Sequence, residues 1–382
     1  MNLKLFLVRL PLANKEGKDL KQEINLSEQL FSALLAFKTP IVFEVAVPHV
    51  GEEIHFYVAM PEKFGEPLVR QITSLWNDSQ VEAVEDYNIF NYSGFACGVS
   101  IVQKERFALP VRTYVDLNAD TFLPLLGGLT KINEVSEGGA IQILIQPGKT
   151  RHKKEINSIL SALKKGAKLK DLLKGGLVSL SDINQALSLK NSKESEGKPP
   201  EKIIEESAIK ALESKLSKPL FEVNLRFLAS APNQYQAEAI LEGLTAGLSQ
   251  FGAPDRNEFK ISRPKNIQNL VYQFSFRQFD NHQAMILNSE ELASVFHLPS
   301  VFTDIPKIKY LKAKEAPPPS NLANEGMVIG ESVYRGQVKS VRIVDDDRRR
   351  HVYIIGQTGT GKSNLLASMA VQDIKSGKGI SV

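Results

Sequence analysis

Residues 356–363 read Gly-Gln-Thr-Gly-Thr-Gly-Lys-Ser, the pattern G-x-x-x-x-G-K-[ST], and no other stretch constrains the fold as tightly. Glycines at 356, 359 and 361 allow the backbone to wrap closely around phosphate oxygens, where a side chain would collide or forbid the dihedrals. The loop then runs into a helix N-terminus, whose free N–H groups and dipole favour an anion. Lys362 supplies a point charge for the β- and γ-phosphates and is the candidate catalytic residue. Ser363 offers a hydroxyl to Mg²⁺, a hard ion that takes oxygen ligands. The candidate nucleotide-binding set is therefore Gly356, Gln357, Thr358, Gly359, Thr360, Gly361, Lys362, Ser363 and Asn364. The flanking sequence suits the motif. Val352 to Ile355 reads as a buried parallel strand, and Leu365, Leu366, Met369, Ala370 and Ile374 line one face of a helix. Gly377 ends that helix, and Ile380 to Val382 resumes a strand pattern.

Three hundred and eighty-two residues exceed what one core usually organises, so two or three domains are expected. Ile41 to Val47 and Ile54 to Ala59 are β-branched and aromatic runs separated by Pro48 and Gly51, which predicts a hairpin. Phe64, Leu68, Ile72 and Leu75 predict a helix, with Trp76 packed beside it, and Val81 to Val84 a third strand. Phe95 to Val102 and Ile141 to Ile145 are further strands around a helix over Phe122 to Ile132, which closes an α+β domain at residues 1–148. A second α+β unit is expected over 219–316. In it Phe221, Val223, Leu225 and Phe227 alternate with Glu222, Asn224 and Arg226, as in a strand with one buried face. Ala237, Ile240, Leu241, Leu244 and Leu248 follow as a helical stripe, then Leu270, Tyr272, Phe274 and Phe276 as a second alternating strand with its aromatic rings in the core. The repeated order of elements suggests two ferredoxin-like units. Pro317, Pro318 and Pro319 stiffen a connector over 317–325, and residues 326–382 begin a different structure. The fold class expected overall is an α/β P-loop NTPase of RecA-like type, only its start present, preceded by α+β ferredoxin-like units.

The formal charge of +4 permits nucleic acid without requiring it, and local clusters carry more information. Lys149 to Lys174 holds nine basic and two acidic residues over an apolar stripe of Ile156, Ile159, Leu160 and Leu163. Nucleic acid, an anionic membrane surface and plain solvation all fit this amphipathic segment, which with a flexible Ser-, Lys- and Glu-rich tract over Lys190 to Pro200 makes up residues 149–218. Asp345, Asp346 and Asp347 precede the loop's strand, at the edge opposite the phosphates, so a solvated turn is favoured over a metal site. Arg348, Arg349 and Arg350 could meet DNA, a neighbouring subunit or solvent. Cys97, the only cysteine, excludes an intrachain disulfide and reads as a small core residue, while the six histidines lack the short spacing of metal ligands. No stretch is long and apolar enough to span a bilayer, which suits a cytoplasmic protein.

The run Arg350-His351-Val352-Tyr353-Ile354-Ile355 leading into Gly356 to Ser363 resembles the start of ATPase domains in the HerA and FtsK superfamily, most closely the coupling ATPases of type IV secretion of the TraG and TraD kind. Gly326 to Ile343, with Val328-Ile329-Gly330 and a turn at Arg335-Gly336, is similar to that superfamily's lead-in strands. Ile54-His55-Phe56-Tyr57 and Val84-Glu85-Asp86-Tyr87 resemble the N-terminal part of conjugation-type ATPases. The resemblance implies a hexameric homo-oligomer at the inner face of a bacterial plasma membrane that binds ATP and Mg²⁺ and drives DNA towards membrane channel proteins. It also implies an acidic motif on a later strand and an arginine from a neighbouring subunit. Residues 364–382 supply neither, so this chain is expected to bind ATP without turning it over alone. Two alternatives remain: a HerA-like DNA translocase, helicase or secretion-assembly ATPase, and a scaffold or docking module over residues 1–316 with a regulatory nucleotide site.

Overall fold

The computed structural model describes residues 3–11, 15–51, 53–105, 107–169, 172, 199–305, 307–311, 318–319, 321–334, 337–357 and 359–380. Most of the tract over Lys190 to Pro200, together with Lys170, Asp171, Lys174, Pro317, the Arg335-Gly336 turn and the end of the strand expected at Ile380 to Val382, lies outside the described residues. The chain divides into two units, Met1–Lys312 and Ala313–Val382.

The first six regular elements of the first unit are β1 (Leu3–Arg9), α1 (Leu20–Leu34), β2 (Ile41–Val47), β3 (His55–Pro61), α2 (Gly65–Leu75) and β4 (Gln80–Val84). Their strands pair antiparallel in the order β4-β1-β3-β2, the split β-α-β-β-α-β arrangement. The same arrangement recurs with β5 (Phe95–Gln103), α3 (Tyr114–Leu117), α4 (Leu123–Thr130), β6 (Gly138–Pro147), β7 (Leu220–Ala231), α7 (Gln234–Thr245) and β8 (Phe259–Ser262). Taken as a second set of four, these strands lie in the order fourth, first, third, second, and the two second strands, β2 and β6, pair with one another. One continuous antiparallel sheet results, with β9 (Met285–Asn288) added beside β7. α8 (Ile267–Ser275) and α9 (Ser289–Val295) complete the unit.

This connectivity redraws the boundary expected near residue 148. β5, α4 and β6 belong with β7 and β8, and the long β6·β7 ladder from Gly138↔Ser230 to Pro147↔Phe221 crosses the expected break. The basic segment is an insertion between these two strands. It folds as α5 (Thr150–Lys164) and α6 (Pro199–Ser217), packed through Ile156, Ile159, Leu163, Ala208 and Leu212. The amphipathic stripe of α5 is thus covered by protein. Lys215 of α6 and Glu291 of α9 are fully buried and 3.1 Å apart, and burial pushes the lysine pKa down and the carboxyl pKa up.

Leu270 to Phe276 is a helix, not the expected strand. Leu270 and Phe274 share one buried helical face, while Tyr272 and Phe276 are exposed and contact each other with ring centroids 4.5 Å apart. Residues four apart satisfy both periods, and Asn266, capping the Gln268 amide, decides for the helix. The strand that closes the second set is Phe259–Ser262, only four residues long.

The sheet is buried on both faces. Phe43, Val45, Phe56, Val58, Ile141, Ile143, Val223, Leu225 and Phe227 form the main core beneath α1, α2, α4 and α7. Trp76 packs at its margin, and Cys97 is half-buried there, its thiol pKa pushed up to about 11 by burial. The opposite face is polar along one row. Glu44, Gln142 and Arg226 are direct cross-strand neighbours on β2, β6 and β7, and all are buried. Glu222, Asn224 and Arg226 therefore do not line a solvent face as their alternation suggests.

Gln142 donates to the Glu44 carboxylate (2.7 Å) and to the Phe274 carbonyl (2.9 Å), and its own oxygen accepts from Arg226 Nη1 (2.9 Å). Arg226 also donates to the carbonyls of Gln273 (3.2 Å) and Gln278 (2.6 Å), so the end of α8 is tied to the sheet. Burial lowers the Arg226 pKa to about 10. Replacing Arg226 with Ala orphans these buried acceptors and is expected to cost roughly 3 kcal/mol or more. Urea denaturation checks this, and a loss below about 1 kcal/mol contradicts the role assigned to the row.

His297 is buried beside Asp120. Its Nδ1 lies 2.8 Å from the Leu298 carbonyl and its Nε2 3.0 Å from Asp120 Oδ1, so both nitrogens face acceptors and the imidazolium is the form that satisfies both. Burial pulls the His297 pKa down, but Asp120 and the Leu298 carbonyl outweigh it and the net shift is upward from 6.5. A raised folded pKa gives stability that is complete below the unfolded value and is lost as pH rises through the folded one. The difference in unfolding free energy between wild type and His297→Gln should therefore shrink above about pH 6.5. Denaturation at several pH values checks this, and a constant difference from about pH 6 to about pH 9 rules out the charged dyad.

Candidate functional site

The second unit opens with an antiparallel hairpin of β10 (Met327–Tyr334) and β11 (Gln337–Ile343), followed by the short helix α10 (Asp345–Arg348) and by α11 (Lys362–Lys375). A register shift between Val328 and Gly330 interrupts the ladder. Gln372 of α11 fills the gap, its amide donating to the Val328 carbonyl (2.8 Å) and its oxygen accepting from the Val328 amide (3.1 Å). Met369 is the buried apolar residue on this side of the helix.

The glycine-rich loop enters α11 through two left-handed residues, Gly359 at φ 84° and Gly361 at φ 88°, with Gly361 as N-cap. Backbone of this kind strains any residue with a Cβ. Gly356 is constrained by space, since a Cβ there would lie 2.6 Å from Thr360 Oγ1. The first intrahelical bond runs from the Leu365 amide to the Gly361 carbonyl. The amides of Gly361, Lys362, Ser363 and Asn364 thus have no acceptor inside the helix.

Lys362 folds back over the loop, and its Nζ donates to the carbonyls of Gly356 (2.7 Å) and Gln357 (2.6 Å). The Gln357 carbonyl also accepts from Thr360 Oγ1 (2.7 Å). An ammonium held by two neutral carbonyls keeps a donor for an anion, and a phosphate oxygen is a stronger acceptor than either carbonyl. Ser363 and Asn364 are exposed on the first turn of α11. Of the candidate set, Thr358 lies outside the described residues; Gly356 and Gln357 precede it, and Gly359 to Asn364 lead into and form the first turn of α11.

Val352 to Ile355 departs from expectation. It forms no strand, and Tyr353 and Ile355 are 87% and 80% exposed. An extended segment needs a ladder partner to satisfy its backbone, and none pairs with it among the described residues. Leu366 and Ile374, expected on the packed face of α11, are likewise exposed.

The charge run before the loop separates into two roles. Arg348 makes a two-pronged ion pair with Asp373 of α11 and lies 3.6 Å from Asp345, which also pairs with Lys378. The hydrogen bond from Arg348 holds the Asp373 carboxyl below its ordinary pKa, and that from Lys378 does the same for Asp345. Arg349 and Asp346, by contrast, are exposed. Arg348 therefore fastens α10 to α11. Arg348→Ala is expected to speed amide hydrogen exchange in the last turns of α11, whereas Arg349→Ala should leave it unchanged. Equal rates in the two variants would remove this distinction.

Sequence reasoning missed the buried polar groups of the first unit. Asp120 and His297 are 177 residues apart, and Lys215 and Glu291 are 76 apart, so no local spacing announces either pair. Each is fully engaged in holding elements together. Among the described residues, no helix is long and apolar enough to cross a membrane.

Residues 16–310 match the model of a family described as Domain of unknown function (DUF8128), a stretch confined to the first unit. No curated protein matches the chain.

Proposed function

We propose that this chain, which belongs to the DUF8128 family through residues 16–310, binds ATP with Mg²⁺ at the loop Gly356 to Asn364 and serves as part of an ATP-driven motor. The observation that carries the reading is the conjunction of the complete G-x-x-x-x-G-K-S pattern with left-handed Gly359 and Gly361, a helix beginning at Lys362, and a lysine amine poised over the loop. In this reading the amides of residues 359–364 surround the β- and γ-phosphates, Lys362 leaves the Gly356 and Gln357 carbonyls for the γ-phosphate, and Ser363 gives its hydroxyl to Mg²⁺.

The exposed apolar residues Tyr353, Ile355, Leu366 and Ile374 support a RecA-like domain, in which neighbouring strands would cover them. The lead-in hairpin at Met327 to Ile343 favours the HerA and FtsK class. Within that class the reading is a hexameric DNA translocase of a type IV secretion or conjugation system, working at the cytoplasmic face of a membrane with channel proteins. A second reading, a scaffold with a regulatory nucleotide site, draws on the single continuous sheet that occupies most of the chain.

The test is Mg²⁺-dependent binding of a fluorescent ATP analogue, followed by measurement of ATP hydrolysis with and without DNA. Lys362→Ala should weaken binding by about tenfold or more while leaving thermal unfolding of the first unit unchanged. DNA-stimulated turnover lost in that variant supports the motor, and a defined oligomer formed by residues 1–316 without nucleotide supports the scaffold. Equal affinity in wild type and Lys362→Ala would refute the site itself.

A further inference from the structure

The long sheet ends in two unlike edges. At one end β8 covers only Ser100 to Gln103 of β5, and among the described residues no strand lies on the outer side of Phe95 to Val99. Every second residue there turns its N–H and C=O outward. This open edge lies in a groove of about 230 Å³. Ala96, Cys97 and Gly98 line its floor, with Ala237 and Glu238 of α7 on one side and Arg263 on the other. Lys260 on β8, and Arg263 and Lys265 just after it, are exposed, and no ion pair joins them to another described residue. Lysines on a short edge strand ordinarily discourage pairing, but β8 carries that protection only from Ser100 onward; before it Gly98 and Val99 are buried, Ala96 and Cys97 are half-buried and Phe95 is exposed.

At the other end β4 pairs with β1 alone. From Val81 the chain runs Val81-Glu82-Ala83-Val84-Glu85-Asp86, a stretch with small or β-branched residues and three carboxylates. Arg9 pairs with Glu82 and Arg277 with Asp86, while Glu85 is exposed and forms no ion pair with another described residue. We propose that the β4 edge of one copy of this chain adds to the Phe95 to Cys97 edge of a second copy, extending the sheet from molecule to molecule. Charge selects this pairing. Two β5 and β8 edges brought together would oppose Lys260, Arg263 and Lys265 to their own copies, whereas β4 brings carboxylates to them. Because the joined surfaces differ, the contact is heterologous and generates a ring or a filament. The inference uses only the first unit and is independent of nucleotide binding.

The test exploits the two-sided charge. The full chain is prepared as wild type, as an acceptor variant (Lys260→Glu, Arg263→Glu, Lys265→Glu) and as a donor variant (Glu82→Lys, Glu85→Lys). Light scattering after gel filtration gives the assembly state, and circular dichroism verifies folding. Wild type should assemble with rising concentration, each variant alone should stay monomeric, and an equimolar mixture of the two should assemble again. Cys97, the only cysteine, lies on the groove floor, so its modification by a thiol reagent should slow by roughly fivefold as wild type assembles. Monomeric wild type at high concentration, with Cys97 reactivity independent of concentration, overturns the proposal. So does a donor variant that self-associates like wild type, which would place the contact between two β5 edges.

Discussion

The first unit depends on a polar row laid across the middle of its sheet. Glu44, Gln142 and Arg226 stand side by side on β2, β6 and β7, in a region closed to solvent. Buried polar groups are costly unless every partner is supplied, and here the partners come from the end of α8 and from Arg277. Arg277, itself left-handed at φ 50°, places one guanidinium between Glu44 and Asp86. Tyr87 adds a hydroxyl bond to Glu44 (3.0 Å). The helix that covers the second face is thus held by a fixed set of hydrogen bonds as well as by apolar contact. Such a network specifies register, since a slip of one residue would move every member to the opposite face.

The same row spans the joint between the two split β-α-β-β-α-β sets. β2 and β6 are the corresponding second strands of those sets, and their pairing consumes one edge from each. What remains is a sheet with two fourth strands, β4 and β8, at its ends. The α5 and α6 insertion leaves this core by way of the β6·β7 ladder and is fastened back by Lys215 to Glu291 and by His152, whose ring lies 2.8 Å from buried Glu222. The basic character of α5 is therefore carried by a helix already committed to packing on its apolar side.

The unit that bears the glycine-rich loop is organised more locally. Two left-handed glycines, one helix start and a lysine bonded to its own loop lie within seven residues of one another. That locality is why the loop is legible in the order of residues alone. Glycine at positions of positive φ is a requirement of the short segment itself, and it shows in the residue types.

Short-range features follow from the amino-acid order: the hairpin of β2 and β3, helices α2, α4 and α7, β7 by its strict alternation, the repeat of β and α order, and the loop at 356–364. Features that depend on distant partners do not. Leu270 to Phe276 satisfies a strand period and a helix period equally, and the Asn266 cap with the sheet beneath it decides between them. Glu222, Asn224 and Arg226 look like a wet face until α8 and α5 arrive to bury them. The division at residue 148 fails because a domain boundary is a statement about which strands pair, and the β6·β7 ladder joins residues more than seventy positions apart. Periodicity records what a segment offers to its surroundings, whereas burial, register and strand order are set by whichever segments come to meet it in the folded chain.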